Sequence, residues 1–435
     1  MKRILMILSL FISGGAFSQE TVYPAKDYKG LLFIKNATIH IGNGQVVENG
    51  TIKVSNGKIE QVGTNIAIPA DDVKVFDAKG GHVYPGLILP VTDLGLKEIG
   101  SGVRGSNDYA ELGDNNANIH ALYAYNTDSK IINVLKANGI LLAGVTPQGG
   151  TISGASSVVQ LDAWNWEDAA YKKDNAIHIN LPDFIYRPSP YAAFLGVQQR
   201  KADEVLKEAE EKAEEIKAFF REAKAYLQQS SHADVNLKFE AVKGLFDKSQ
   251  KLFVHGDQVR QMLVAVDFVK EFGFNVVIVG GSESFQIAGL LKQNNIAVVL
   301  NSLHALPSTE DDDVDQPFKT PAVLQKAGVL FALSDDNGET RYRNLPFDAG
   351  TAVAYGLTKE QALQALTLNS AKILGIDNVT GSLEPGKDAN IIISEGDILD
   401  MRTSIVTQAF IQGRQVDLNN KQKQLYERYK YKYGL

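Results

Sequence analysis

Residues 76–93, FDAKGGHVYPGLILPVTD, mark the point where the character of this 435-residue chain changes. Before it, residues 21–82 contain short β-rich runs separated by Asn-Gly pairs, which readily form tight hairpin turns. After it, apolar runs such as Ile140–Val145 and Val276–Val279 alternate with helical segments. Apolar strands that alternate with helices are typical of a parallel sheet covered on both faces. The length of this part, roughly 300 residues, predicts an α/β fold with a (β/α)8 TIM-type barrel that carries insertions.

The end of the chain returns to the character of its beginning. Residues 382–418 are again β-rich, like the segment before the barrel. We therefore predict a composite β-sandwich domain built from both chain ends, residues 19–82 plus 382–418. The barrel, residues 83–381, is inserted between them, and residues 419–435 form a C-terminal tail whose Tyr, Lys and Arg content indicates a surface helix.

Residues 200–229 form a separate feature within the barrel region. Apolar residues recur there at alternating spacings of three and four, and Lys and Glu fill most other positions. This pattern predicts a long amphipathic helical insertion. Its apolar stripe is expected to pack on its own domain, and a contact with a second subunit is the alternative, which leaves a homo-oligomer open.

The composition excludes several classes of function. The chain has no cysteine, so disulfides, thiolate zinc sites and cysteine nucleophiles are excluded, and seven histidines remain for any transition-metal site. The formal net charge of -7 makes nucleic acid an unlikely partner by electrostatics. Residues 1–18 combine a basic start, a short apolar run and the small-residue motif Ala16–Ser18, which predicts a signal peptide. We expect an exported, periplasmic or secreted protein with no membrane anchor.

Three motifs carry a family resemblance: residues 76–88, the segment ALTLNSAKILG at 365–375 and the segment GSLEPGKDANIII at 381–393. In this order they resemble the entry to the first barrel strand, the last barrel helix and the return to the β domain in the amidohydrolase superfamily. The resemblance is closest to the imidazolonepropionase-like branch. It implies a hydrolase of non-peptide C–N bonds, with cyclic amides as the expected substrates. In that family a metal at the carboxyl end of the barrel polarises the carbonyl and activates water.

The metal-ligand motifs depart from the family pattern. The usual first-strand His-x-His is replaced by Val91 and Asp93, and the usual sixth-strand His is Gly280. The fifth-strand His255 and the eighth-strand Asp335 are retained. The resemblance implies Asp335 as the catalytic base and His255 as an electrophile or metal ligand. The available ligand set is His255, Asp335 and Asp93, so we expect either no tightly bound cofactor or one weakly held divalent metal ion.

Other candidates are supported less directly. Residues 149–157, a Gly/Ser-rich stretch without the Lys of a phosphate-binding loop, are interpreted as a flexible barrel loop. Some polar side chains that follow barrel strands are candidates for substrate binding, and the arginines among them could hold a carboxylate. These candidates are His304, Arg341, Arg343, Asn344 and Arg104.

Two functions remain open from the sequence. One is an amidohydrolase-like enzyme with an atypical or weakened metal centre. The other is a catalytically silent exported barrel that binds a small ligand or a partner. In both cases the expected partner is a small molecule. The altered first strand favours the second function, and the retained His255 and Asp335 favour the first.

Overall fold

A computed structural model describes residues 22–70, 73–98, 107–185, 201–301, 303–307, 311–335, 338 and 340–435. The predicted signal peptide and Arg104 lie outside the described residues. The strands are β1 Leu31–His40, β2 Val46–Ser55, β3 Lys58–Gly63, β4 Lys74–Asp77, β5 His82–Pro85, β6 Leu87–Thr92, β7 Ile140–Val145, β8 Ile152–Gln160, β9 Ala170–Asn180, β10 Lys251–Gly256, β11 Val276–Gly280, β12 Ala297–Leu300, β13 Phe331–Leu333, β14 Ile391–Ser394, β15 Val406–Ile411 and β16 Arg414–Gln415.

The helices fall between the strands and after them. They are α1 Lys130–Ala137, α2 Trp166–Ala169, α3 Ala202–Leu227, α4 Leu237–Ala241, α5 Lys243–Asp247, α6 Val259–Phe272, α7 Ala288–Gln293, α8 Gln316–Ala327, α9 Leu345–Ala354, α10 Lys359–Leu366, α11 Leu368–Leu374 and α12 Lys421–Tyr433. In the described part of the chain, none of them combines the length and apolar character needed to cross a membrane.

Strands from both ends of the chain share one eight-stranded sheet. Its order is β16-β15-β14-β5-β1-β2-β3, and β4 also pairs with β1. The two halves meet where Ile391 of β14 lies opposite Pro85 of β5 in an antiparallel ladder. Because β5 belongs to this sheet, the barrel begins at Leu87, slightly later than the expected boundary at residue 83. Buried aliphatic residues from both halves, such as Ile39 and Ile393, form one core cluster.

Strands β6 to β13 form the second eight-stranded sheet, in sequence order. The first and last strands approach each other, and the Ser334 hydroxyl donates to the Val91 carbonyl over 2.9 Å. The sheet is therefore a nearly closed barrel, and the predicted fold class is confirmed.

One strand differs from the expected parallel arrangement. Strand β8 is antiparallel to both β7 and β9, and all nine of its residues are buried. The interpretation of residues 149–157 as a flexible loop is therefore wrong for most of the stretch. The connection from β7 to β8 is too short for a helical crossover, so the chain can only turn back antiparallel.

The barrel interior and its outer surface are separate apolar layers. Interior residues such as Ile88, Phe253 and Val299 pack with Ile373 of α11. Helix α11 closes the amino end of the barrel, where Asn369 donates to the Phe331 carbonyl at the start of β13. The carboxyl ends of the strands consequently form the open end.

Helix α3 packs on the body of its own chain. Its buried residues are Ala209, Ala213, Ile216, Phe220 and Ala223, which follow the predicted apolar stripe. Phe220 contacts the rings of Phe268 and Phe274 edge-on, at centroid distances of 5.8 and 5.3 Å. The favoured interpretation of the stripe, packing within the chain, matches this placement.

Candidate active site at the carboxyl ends of the barrel strands

Strand alternation places His255 and His178 on the inner face of the barrel. Phe253, two residues before His255, belongs to the interior cluster, and so does Ala176, two residues before His178. Side chains two apart on a strand point the same way. The parallel register pairs His178 with Phe253 and thereby sets the two histidines one above the other near the open end.

The two imidazoles belong to a chain of hydrogen bonds across three strands. His255 Nε2 lies 2.9 Å from His178 Nδ1, and His178 Nε2 lies 2.9 Å from the Ser156 hydroxyl. Ser156 donates in turn to Asn175 Oδ1 over 3.2 Å. With the serine proton directed to Asn175, His178 donates from Nε2 and accepts at Nδ1 from His255. His255 then keeps Nδ1 as an acceptor.

Both histidines are held in the neutral form. Burial lowers the pKa of His178 well below its ordinary value, and the neighbouring His255 adds to this. Burial also lowers the pKa of His255 to about 4. At neutral pH the pair therefore carries no charge, and it serves to orient hydrogen bonds.

Two carboxylates lie on the strands that close the barrel. Asp93 follows β6 and is 5% exposed; it accepts a short hydrogen bond from the Tyr342 hydroxyl, and Gln148 Nε2 lies 3.5 Å away. Asp335 follows β13 and is 1% exposed, with Arg341 Nε 3.8 Å from its Oδ2. Protein groups therefore engage both oxygens of Asp93 and place one positive charge beside Asp335.

A third carboxyl group, Asp348 of α9, adjoins this pair of strands. It is 3% exposed, and its Oδ1 lies 3.0 Å from His304 Nδ1. Burial, together with the nearby Asp335, raises the pKa of Asp348 to about 7. His304 Nε2 lies 2.9 Å from the Thr351 hydroxyl, so both ring nitrogens of His304 contact α9. His304 thus fastens the segment after β12 to α9.

The other predicted substrate-binding residues are less closely associated with these groups. Arg341 lies beside Asp335, whereas Arg343 is exposed and Asn344 is half-buried at the start of α9. Arg104 lies outside the described residues. Of the predicted set, the structure brings Arg341 into contact with Asp335, and it links His304 to Asp348, which sequence reasoning did not identify.

A zinc centre needs three or four protein ligands. Among the described side chains, no three His, Asp or Glu residues converge as ligands of one ion, so His255, Asp335 and Asp93 are not gathered into one cluster. Asp93 is bonded to Tyr342 and Gln148, and His255 Nε2 is directed at His178. These residues do not fit the metal centre that the family pattern implies.

His178 and Asp348 were missed by the sequence analysis for different reasons. In β9, Ile177 and Ile179 flank His178, and Asn180 follows at the next even position. This alternation of polar and apolar residues could have placed His178 and Asn180 on the inner face. Asp348 lies on a helix and has no local motif, so only the tertiary structure brings it to Asp335.

Comparison with known proteins agrees with this architecture. Residues 212–417 match the model of the amidohydrolase family. An amidohydrolase structure from Thermotoga maritima superposes with a TM-score of 0.76 at 27% identity, covering 89% of this chain and 99% of that one. The fold and the matched domain confirm the predicted resemblance to the amidohydrolase superfamily.

Most of the matching curated relatives are imidazolonepropionases, and adenine deaminases also match. Imidazolonepropionase of Picrophilus torridus is 30% identical over 148 residues, which cover 34% of this chain and 36% of the relative. Imidazolonepropionase of Flavobacterium psychrophilum is 37% identical over 82 residues, 18% of this chain and 20% of the relative. The similarity is thus to the imidazolonepropionase-like branch, and the alignments span about a third or less of the relatives' lengths.

Proposed function

We propose that this protein is a hydrolase of non-peptide C–N bonds and that cyclic amides are its substrates. The amidohydrolase-family domain and the similarity to imidazolonepropionases support this class of reaction. The observation that carries the proposal is the relay from buried Ser156 through buried His178 to half-buried His255, which ends at the same open end of the barrel as Asp335. Catalytic groups of such barrels lie at this end.

In the proposed reaction, His255 and Asp335 have complementary roles. A cyclic amide presents an N–H donor and a C=O acceptor, and His255 Nδ1 accepts the N–H, because the relay leaves that nitrogen without a proton. Asp335 takes the proton of the attacking water as a new C–O bond forms at the carbonyl carbon. It then returns the proton to the leaving nitrogen as the C–N bond breaks. Arg341, beside Asp335, offers its positive charge to the developing oxyanion.

We also propose that no zinc ion is firmly held. Asp93 is engaged by Tyr342 and Gln148, and Val91 provides no ligand atom. At most, one divalent ion would bind weakly to the remaining oxygen donors. No step above depends on it.

The test measures ring opening of imidazolonepropionate, hydantoin and dihydrouracil by the mature chain and by three variants. Asp335→Asn and His255→Phe should each lower kcat at least 100-fold while the variants still unfold cooperatively, because each removes a group that contacts the reacting amide or water. Asp311→Asn, at an exposed carboxylate, is the matched control. Turnover that survives both site variants would contradict the proposal.

The second candidate is a catalytically silent barrel that binds a small ligand. The observation in its favour is the first strand, where Val91 replaces a ligand and protein groups satisfy Asp93. A cyclic amide that raises the melting temperature of the wild-type chain without being opened would favour this candidate. We further propose that the chain is exported through its N-terminal segment, on the residue pattern given above.

A further inference from the structure

Helix α12, Lys421–Tyr433, concentrates positive charge in an otherwise acidic chain. It carries five basic residues and one acidic residue, which give it a formal charge of +4. Since the whole chain carries -7, the residues outside α12 carry -11. None of the helix residues is buried, and neither the barrel core nor the proposed active site uses them. The helix is thus a separate positive surface on the protein.

Three of the four tyrosines of α12 form an exposed stripe along one face. Tyr426, Tyr429 and Tyr433 lie three and four positions apart, which places them on the same side of a helix. Their exposed fractions are 66%, 52% and 65%. The rings of Tyr429 and Tyr433 are nearly parallel, with centroids 6.5 Å apart. Much of the aromatic surface of this tyrosine stripe therefore faces solvent.

Basic side chains border the tyrosine stripe on both sides. The Lys430 ammonium lies 6.0 Å from the ring centroid of Tyr426. The Lys432 ammonium lies 5.9 Å from the centroid of Tyr429 and 5.2 Å from that of Tyr433. Helical spacing divides all five basic residues between the two borders of the stripe. They are Lys421, Arg428 and Lys432 on one side, and Lys423 and Lys430 on the other.

An anionic bilayer surface matches this arrangement. Tyrosine combines an apolar ring with a polar hydroxyl and is favoured at the level of the lipid headgroups. Long basic side chains beside it can extend to the lipid phosphates, and their charge attracts anionic lipids. The rest of the chain, at -11, is repelled by the same surface, so α12 is the part of the protein suited to make the contact.

We propose that α12 is a docking surface through which the protein binds peripherally to anionic phospholipid membranes. The helix lies along the headgroups with its tyrosine stripe toward the lipid. It does not span the bilayer, because a helix of 13 residues with six charged side chains is too short and too polar. This inference is independent of the proposed hydrolysis.

The test is co-sedimentation of the full mature chain with phospholipid vesicles at low salt. Vesicles of equal parts phosphatidylcholine and phosphatidylglycerol should bind the chain at least tenfold more tightly than vesicles of phosphatidylcholine alone, and added salt should weaken this binding. Absence of binding to the mixed vesicles, or equal binding to both kinds, would overturn the proposal. Binding to a DNA oligonucleotide without binding to the vesicles would also overturn it and would assign the surface to nucleic acid.

A pair of charge reversals tests whether α12 makes the contact. Lys430→Glu combined with Lys432→Glu should lower the affinity for the mixed vesicles at least tenfold. Lys207→Glu combined with Lys224→Glu makes the same change of net charge at exposed positions of α3 and should lower the affinity less than threefold. Equal losses in the two double variants would show a general effect of net charge and overturn the assignment to α12. Urea titrations establish that both double variants are folded.

A second double variant tests the tyrosine stripe. Tyr426→Gln combined with Tyr429→Gln removes two rings and leaves the net charge unchanged. The affinity for the mixed vesicles should fall at least threefold, because these rings no longer enter the headgroup region. An unchanged affinity would show attraction by charge alone and contradict the proposed orientation of the helix.

Discussion

Polar side chains at the open end of the barrel contact one another in pairs. His255 bonds to His178, Asp93 bonds to Tyr342, and Asp348 lies against His304. Buried polar groups need such partners because an unpaired one is costly. The same pairings that stabilise these groups also remove atoms from the set that could bind a metal ion.

Asp348 gives a pH-dependent prediction at this scale. Its pKa is raised from 3.8 to about 7 in the folded chain, so the folded state binds the extra proton between these values. The proton bound to Asp348 stabilises the folded state. This stabilisation is fully present below pH 4 and is lost as the pH rises through 7. In urea titrations, Asp348→Asn should therefore gain about 2 kcal/mol relative to wild type between pH 5 and pH 8.

The control for this prediction is Asp311→Asn, whose difference from wild type should be the same at both pH values. Burial lowers the pKa of His304, the neighbour of Asp348, below the ordinary value of 6.5. His304 therefore takes up its proton at a lower pH than a free histidine does. A constant difference between Asp348→Asn and wild type across the range would show that Asp348 is ionised throughout.

The candidate site could be predicted from the sequence only in part. His255 and Asp335 follow apolar strands and match family positions, so their place at the strand ends was accessible from the sequence. Their neighbours in space were not, because His178 is 77 residues from its partner His255 and Asp348 is 13 residues from Asp335. Contacts at such separations depend on strand register and helix packing rather than on a local pattern.

Among the secondary-structure elements, too, local sequence patterns predict some features, and others depend on contacts between distant residues. Helix α3 was predictable because its apolar residues recur at helical spacing, and its observed buried residues follow that stripe. The capping box at Thr358 is a local signal for the start of α10, whereas the break at Thr367 between α10 and α11 has no such signal. Strand β8 was missed because its glycine and serines are typical of loops, and tertiary packing overrides that preference.

Helix α3 gives a prediction at the scale of elements. Phe220 is fully buried and packs edge-on against Phe268 and Phe274. Phe220→Ala should lower the free energy of unfolding by about 3–5 kcal/mol, because it removes a large ring and leaves a cavity. Glu210→Ala, on the exposed face of the same helix, should change it by less than about 0.5 kcal/mol. Similar small effects of both substitutions would indicate that α3 does not pack on the barrel.

At the scale of the whole molecule, the two chain ends depend on each other. Strand β14 lies in the interior of the small sheet, between β5 and β15. Deleting residues 382–435 should leave the edge of β5 unpaired and expose the core of that sheet, so the product should aggregate. Size-exclusion chromatography after expression measures the outcome.

A shorter deletion is the control for this prediction. Removing residues 421–435 takes away α12, which has no buried residue, and should leave a soluble chain that unfolds cooperatively. A soluble, cooperatively unfolding product of the longer deletion would contradict the interdependence of the two ends.

The central proposal concerns the barrel as a unit: the amidohydrolase architecture is combined with side chains that, among the described residues, form no group able to hold a metal ion, and we propose that no zinc is firmly bound. The most direct test is elemental analysis of the mature protein after dialysis against a chelator. Our account predicts far less than one zinc ion per chain. Retention of one or two zinc ions per chain would contradict it and would restore the metal-dependent mechanism of the family.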